Sequence, residues 1–316
     1  MDLLNLIRQK VRDFEGTTMH EGLKAVVHHI EIAERHFDHG VKYEDYFYTD
    51  VIYRTNQAFE GALKEAYRAL AESDPSHKAP AQIEKYIEAK NLLKERVLIQ
   101  FRNYRSEWRN KSTHDYKLFF SSQEALLAIV SVSAFFSILL DEMLEKHAYE
   151  KERLEITKKI GAIVASLGNY QQLDFHQQCL ELLAHFSASL KRDDGLKHGI
   201  NEYELRGKLA AYILALDPQI TLQTEVPIQI GSSRMMVDLI LKKGDTSIVL
   251  ELKRPSREAR INSLRAVNQV ATYLAASGIT EGIVYIPPLD KSQKIEITNQ
   301  TIETGGKKLN ISVVRT

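Results

Sequence analysis

The stretch Met235–Pro255, "MMVDLILKKGDTSIVLELKRP", decides the fold of the second half of this chain. Gly244-Asp245 separates two apolar runs and reads as a two-residue hairpin turn. Lys243 then pairs with Thr246, paired positions sum to a constant, and Asp238 falls directly opposite Glu251. Side chains alternate faces along a strand, so Lys253 shares the face of Glu251. Two carboxylates facing each other across a hairpin repel. A divalent cation between them removes that penalty, and oxygen ligands with open positions suit magnesium or manganese. A lysine beside the cation can orient or deprotonate a water and offset charge on a phosphate. A bulge in either strand would shift this register.

Around the hairpin the pattern is mixed. "NEYELRGKLAAYILALD" reads as a helix ended by Asp217-Pro218. The β-type runs "ITLQTEVPIQI", "RMMVDLILKK" and "TSIVLELKR" follow. The helix "NSLRAVNQVATYLAAS" is closed by Gly278, and "EGIVYIPP" and "LNISVVRT" read as further strands. The expected order is α-β-β-β-α-β-β, a mixed α/β sandwich over residues 196–316.

The first half is different. Residues 1 to about 190 are helical in period, interrupted only by Pro75 and Pro80. "NQAFEGALKEAYRALAES" puts Phe59, Leu63, Tyr67 and Leu70 on one face. "LKERVLIQFRNYRSEW" does the same with Val97, Phe101, Tyr104 and Trp108. No strand-like alternation occurs, so an antiparallel all-α bundle is expected over residues 1–148. A helical connector is expected over 149–195. The apolar run Ala125–Leu140 is shorter than the roughly 20 residues of a membrane span, and reads as a helix buried in the bundle.

The 316 residues carry no net charge, so no global field marks a nucleic-acid binder. Basic residues do cluster locally, at Lys94–Lys117 and at Lys242–Arg265. A single cysteine, Cys179, excludes a disulfide framework and a cysteine-based zinc site. It fits a reducing cytosol, and the N-terminus has no signal design. A cytoplasmic protein that makes no use of a membrane is expected. A Gly-rich phosphate loop and G-x-S-x-G are both absent.

Asp238, Glu251-Leu252-Lys253 and the helix behind them resemble the PD-(D/E)XK nuclease superfamily. Gln269 and Tyr273, spaced Q-x-x-x-Y, resemble its RecB-like branch. The bare [DE]-x-K pattern also occurs at Glu88–Lys90 and Asp115–Lys117. Only the third copy ends an apolar strand, follows a strand bearing an aspartate and precedes Q-x-x-x-Y. The resemblance implies a restriction-endonuclease-like fold in which Asp238, Glu251 and the Leu252 carbonyl bind Mg2+ or Mn2+. By the same resemblance Lys253 positions the attacking water, and Gln269 and Tyr273 support the site or the DNA. It also implies a glutamate on the first helix. Glu202 shares a face with Leu205 and Leu209 and is preferred over Glu204.

In the bundle, Arg109-Asn-Lys-Ser-Thr-His114 resembles the R-x4-6-H motif of HEPN-domain ribonucleases. Arg192–His198 matches that spacing too, but falls in the expected linker. Arg109 ends a long amphipathic helix, and His114 precedes the strongly apolar one, which is the context the resemblance requires. A histidine near neutral pKa can exchange a proton with a ribose 2′-OH or a leaving oxygen. An arginine can bind the scissile phosphate. Asn110 can hold either, and Glu60 is a candidate helper. The resemblance implies metal-free RNA cleavage and a homodimer through the bundle, so that two motifs share one cleft. Together the two resemblances imply a dual nuclease of antiphage or abortive-infection type, acting on RNA and DNA, with an unidentified regulatory partner. Two alternatives stand beside it: a DNA nuclease whose bundle only dimerises or binds RNA, and a non-catalytic dimeric scaffold.

Overall fold

The structure is a computed structural model that describes residues 2–110, 119–192, 201–254, 259–288, 294–304 and 306–315. The chain divides into two compact units, Met1–His147 and Ala148–Thr316. The first is an all-helical bundle and the second a mixed α/β domain.

The bundle contains α1 (Leu3–Arg12), α2 (His20–Lys42), α3 (Phe47–Leu70), α4 (Pro80–Ala89), α5 (Glu95–Tyr104) and the first part of α6 (Ser122–Ser166). The apolar stripes foreseen on α3 and α5 meet in one core. Phe59 stacks on Tyr104 with ring centroids 4.6 Å apart, and Phe135 of α6 lies 5.2 Å from the same ring. Burying each such side chain contributes about 1.5–3 kcal/mol. The Tyr104 hydroxyl donates to Asn56 at 3.1 Å, so the polar end of this buried ring is satisfied. Beyond Tyr104 the helix widens into a π turn, Arg105–Arg109.

Helix α6 is 45 residues long, far longer than the apolar run at its start indicated. Ser121 and Glu124 form its capping box: the Ser121 amide donates to the Glu124 carboxylate at 2.8 Å, and the Glu124 amide to the Ser121 hydroxyl at 3.4 Å. By length and composition α6 contains a stretch able to cross a membrane, but 67% of that stretch is buried. Phe135, Phe136, Leu139 and Met143 supply the bundle core instead.

The second unit holds a six-stranded sheet in the order β1-β2-β3-β4-β6-β5. The strands are β1 (Thr221–Ile230), β2 (Ser233–Lys243), β3 (Thr246–Leu252), β4 (Glu281–Ile286), β5 (Glu296–Thr304) and β6 (Lys307–Arg315). β1, β2 and β3 run antiparallel, β3–β4 and β4–β6 are parallel, and β5 returns antiparallel to β6. Helices α7 (Phe175–Arg192) and α8 (Glu202–Leu216) pack on one face, and α9 (Ala259–Ser277) on the other. Strand β3 shows why both faces are covered. Ile248, Leu250 and Leu252 face α7 and α8, while Val249 faces α9.

Two expectations are corrected here. β5 adds a strand to the anticipated order; its residues are almost all exposed, so the edge strand lacks the apolar alternation that marks a buried one. The segment read as a connector is not a tether. Leu182, Leu183 and Phe186 of α7 are fully buried in the same cluster as Leu239, Leu250 and Tyr285 of the sheet. Lys243, at the hairpin end of β2, reinforces that layer by reaching Asp217 at 2.7 Å and Gln178 at 2.8 Å.

Candidate functional site

The hairpin forms in the register that its turn dictates. Gly244 has φ +59, the left-handed value this turn needs at its first position. Pairing runs from Lys243↔Thr246 to Leu239↔Leu250. One position further, Asp238 stands across from Glu251. There the ladder gives way to the site: the Leu252 amide donates to Asp238 Oδ2 at 2.8 Å. On its other side β3 stays tied to β4, with the Lys253 amide donating to the Tyr285 carbonyl at 2.9 Å.

Glu251 is 3% exposed. Its Oε1 accepts from Lys253 Nζ at 2.7 Å, and its Oε2 is buried without any hydrogen-bond partner. Burial first, the charge of Asp238 second, and a hydrogen bond shared with Asp238 when the pair holds a proton push the Glu251 carboxyl up to about 7 against the pull of Lys253. Burial also raises the Asp238 carboxyl, opposed mainly by the Leu252 amide. The buried Glu251 carboxyl, with half-buried Asp238 beside it and one ammonium on its other oxygen, keeps an unsatisfied oxygen, an arrangement that a cation would complete.

Helix α9 braces the lysine. Lys253 Nζ donates to Gln269 Oε1 at 3.1 Å, and Gln269 Nε2 donates to the Tyr273 hydroxyl. That hydroxyl donates to the Met236 carbonyl of β2 at 3.0 Å. The helix comes this close because Gly282 of β4 has no side chain. A Cβ there would lie 2.4 Å from Val270 Cγ1.

Glu202, at the start of α8, acts electrostatically on Asp238 and lies 3.6 Å from Arg254. Glu204 instead pairs with Lys208 at 2.7 Å. Sequence reasoning missed Arg206, one turn further along α8, and Glu225 of β1, whose charged atoms are 3.2 Å apart. An arginine four residues after Glu202 was the available signal, but its near-complete burial was not visible in the pattern.

In the bundle, Arg109 closes the π turn. Its Nε lies 3.6 Å from Glu60 of α3 and its Nη1 4.0 Å from the buried Glu84 of α4, and Nη1 donates to Asn110 at 3.3 Å. Burial raises the Glu84 carboxyl, with Arg109 and Arg105 opposing. Glu60 thus touches the arginine it was expected to help. π turns of this kind recur at functional sites. His114 lies outside the described residues.

Comparison with protein-family models, with curated proteins and with solved structures finds no match. The site must therefore be read from its own chemistry. Among the described residues no three His, Cys, Asp or Glu side chains gather as a ready-made cation cluster. A donor set of two carboxylates and a backbone carbonyl still fits magnesium, which keeps several waters and is commonly held by one or two carboxylates.

A second polar chain needs separate treatment. His176 Nε2 lies 2.7 Å from Ser312 Oγ, and His176 Nδ1 lies 3.4 Å from Glu281. It has the outline of a serine–histidine–acid relay. The Ser312 hydroxyl, however, donates its one proton to Asn299 at 2.8 Å, and Ser312 is 3% exposed. It serves as a tie from α7 to β6 and, through Asn299, to the edge strand β5.

Proposed function

We propose that the second unit is a magnesium- or manganese-dependent DNA nuclease of the PD-(D/E)XK kind. The observation that carries this reading is the buried, unpartnered Glu251 Oε2 across from Asp238, with Lys253 on the other Glu251 oxygen. Asp238, Glu251 and the Leu252 carbonyl would hold the cation. When bound, such a cation polarises a phosphoryl oxygen and makes water a better nucleophile at neutral pH.

The remaining chemistry belongs to the chain. Lys253 has one N–H toward Glu251 and one toward Gln269, which leaves its third donor for the water oxygen or a phosphate oxygen. Gln269 and Tyr273 hold that ammonium in place from the β2 backbone. Water attack forms the new P–O bond, the bond to the leaving oxygen breaks, and the leaving oxygen takes up a proton. Glu202 supports Asp238 from α8. The experiment is DNA cleavage with Mg2+ and with EDTA, using wild type and Glu251→Ala/Lys253→Ala. Cutting that persists in the double variant would overturn the assignment.

A second activity in the bundle is favoured by the orientation of Arg109, which Glu60 and Glu84 hold at a π turn beside Asn110. This reading is a metal-free HEPN-type endoribonuclease using Arg109, Asn110 and His114. Two copies would pair through the bundle to bring two motifs to one cleft. The exposed apolar side chains Phe119, Leu126, Leu127 and Val130 support that pairing. On this reading the protein is a cytoplasmic antiphage effector that a regulatory partner holds in check. Its rivals are a bundle that only dimerises or binds RNA beside an active DNA nuclease, and a dimeric scaffold without catalysis. RNA cleavage in EDTA by wild type and by His114→Ala separates them.

A further inference from the structure

Strands β1 and β2 run on past the end of the sheet. Pairing of β2 with β3 stops at Leu239↔Leu250, but pairing with β1 continues to Ile230↔Ser233. β3 itself ends at Leu252. Residues 226–237 therefore form a two-stranded arm that overhangs the sheet at the end where Asp238, Glu251 and Lys253 meet. At its root Glu225 interrupts the ladder between Thr224↔Leu239 and Val226↔Val237, with a left-handed φ of +50. Departures of this kind re-aim a strand beside a site.

The arm is held in place on one face only. Ile228 and Val237 are buried with Val270, Tyr273 and Leu274 of α9, and the Tyr273 hydroxyl donates to the Met236 carbonyl at 3.0 Å. The other face is bare. Pro227 pairs with Met236 and Gln229 with Arg234, and all four side chains are exposed, Met236 to 48%. Charge indicates what covers that face. The arm reads VPIQIGSSRMMV and contains no Asp or Glu, although the chain has 42 of them. Its one charged side chain, Arg234, enters no ion pair among the described residues. Just past β3, the Arg254 side chain is 74% exposed.

A centre made of two carboxylates repels a phosphate backbone, so cationic and hydrogen-bonding groups beside it must hold that backbone. Ser232, Ser233 and Arg234 at the arm's tip are donors of the kind that bind phosphates. Proteins that grip unpaired strands stack the bases on aromatic rings, and the arm has none. Its chemistry therefore suits a duplex. Four residues separate Arg234 from Asp238, about 14 Å at the rise of a strand. Successive phosphates along one DNA strand rise by about 3.4 Å.

We infer that the β1–β2 arm holds duplex DNA beside the cutting centre, with Arg234 on a backbone phosphate about four nucleotides from the one that is cut. This rests on the reading of Asp238 and Glu251 as that centre. Arg234 holds the DNA and does not touch the reacting atoms.

The test is duplex-DNA binding by the full chain in EDTA over a range of salt concentrations, with cleavage in Mg2+ in parallel. Arg234→Ala is expected to weaken binding by about tenfold and to lower the slope of log affinity against log salt by about one. Arg234→Lys should keep the wild-type slope, and both variants should melt with wild type because the side chain is exposed. Saturating DNA should return Arg234→Ala to within about twofold of wild-type cleavage. A single neutral methylphosphonate linkage should suppress cutting about four nucleotides away in wild type but not in Arg234→Ala. Wild-type affinity and salt slope in Arg234→Ala overturn the inference, and so does a cleavage defect that excess DNA does not repair. A wild-type protein that binds no duplex DNA overturns both this inference and the reading beneath it. One that binds DNA through Arg234 but cuts none overturns only the nuclease reading.

Discussion

The amide of Leu252 donates to the carboxylate of Asp238 across 2.8 Å, so a side chain of β2 takes the place of main chain as a partner for β3. The aspartate is thereby oriented by the strand that carries Glu251 and Lys253. Neither acidic residue depends on a flexible loop for its position.

Lys253→Ala should lower DNA cleavage by about a hundredfold or more, the range for losing a group that acts in proton transfer or charge stabilisation. Gln269→Ala should lower it less, because it removes only the brace on that lysine. A Gln269→Ala protein as impaired as Lys253→Ala would show that the glutamine contacts the reacting atoms directly.

The raised Glu251 carboxyl gives the metal-free protein a definite pH dependence. Its folded value of about 7 lies above the ordinary 4.5, so the folded chain binds this proton more tightly than the unfolded chain. The stabilisation is fully present below about pH 4.5 and is lost as pH rises toward 7. Thermal melts in EDTA between pH 5 and 8 should decline for wild type and stay flatter for Glu251→Gln. Identical slopes would mean that Glu251 is not the group responsible.

Gly282→Ala should destabilise the second unit by about 1–3 kcal/mol, because its new methyl meets Val270 Cγ1 where backbone and helix are already in contact. Val270 sits next to Gln269, so moving α9 also displaces the brace on Lys253. DNA cleavage should therefore fall in Gly282→Ala even under conditions where circular dichroism shows it folded.

In the bundle, Arg109→Ala and His114→Ala should each abolish RNA cleavage measured in EDTA while leaving DNA cleavage in Mg2+ intact. RNA cutting that survives His114→Ala would remove the histidine from the site. Glu60→Gln should have a smaller effect on RNA cleavage, since Glu84 still holds the Arg109 guanidinium.

The arrangement of the candidate site in the second unit was legible because a two-residue turn fixes register, and register fixes which side chains face each other. Asp238, Glu251 and Lys253 follow from Gly244-Asp245 by counting. Gln269 and Tyr273 follow from helical spacing, but their chain of hydrogen bonds back to Met236 does not. β5 escaped because an exposed edge strand needs no apolar alternation. Arg206 and Glu225 escaped for another reason. A buried arginine and a left-handed glutamate both depend on partners distant in the chain, so no local window contains their cause. The Arg109–Glu84 approach is of the same long-range kind.

The hydrogen bonds from Met236 through Tyr273 and Gln269 to Lys253 end on Glu251, and the amide of the next residue, Leu252, donates to Asp238, two residues from where they began. The arrangement thus closes through the main chain of β3, and its two ends share one strand. Slack at any link is felt all the way around, and the natural unit for transplanting this centre into another scaffold is the continuous segment from β2 through α9, not a list of residues.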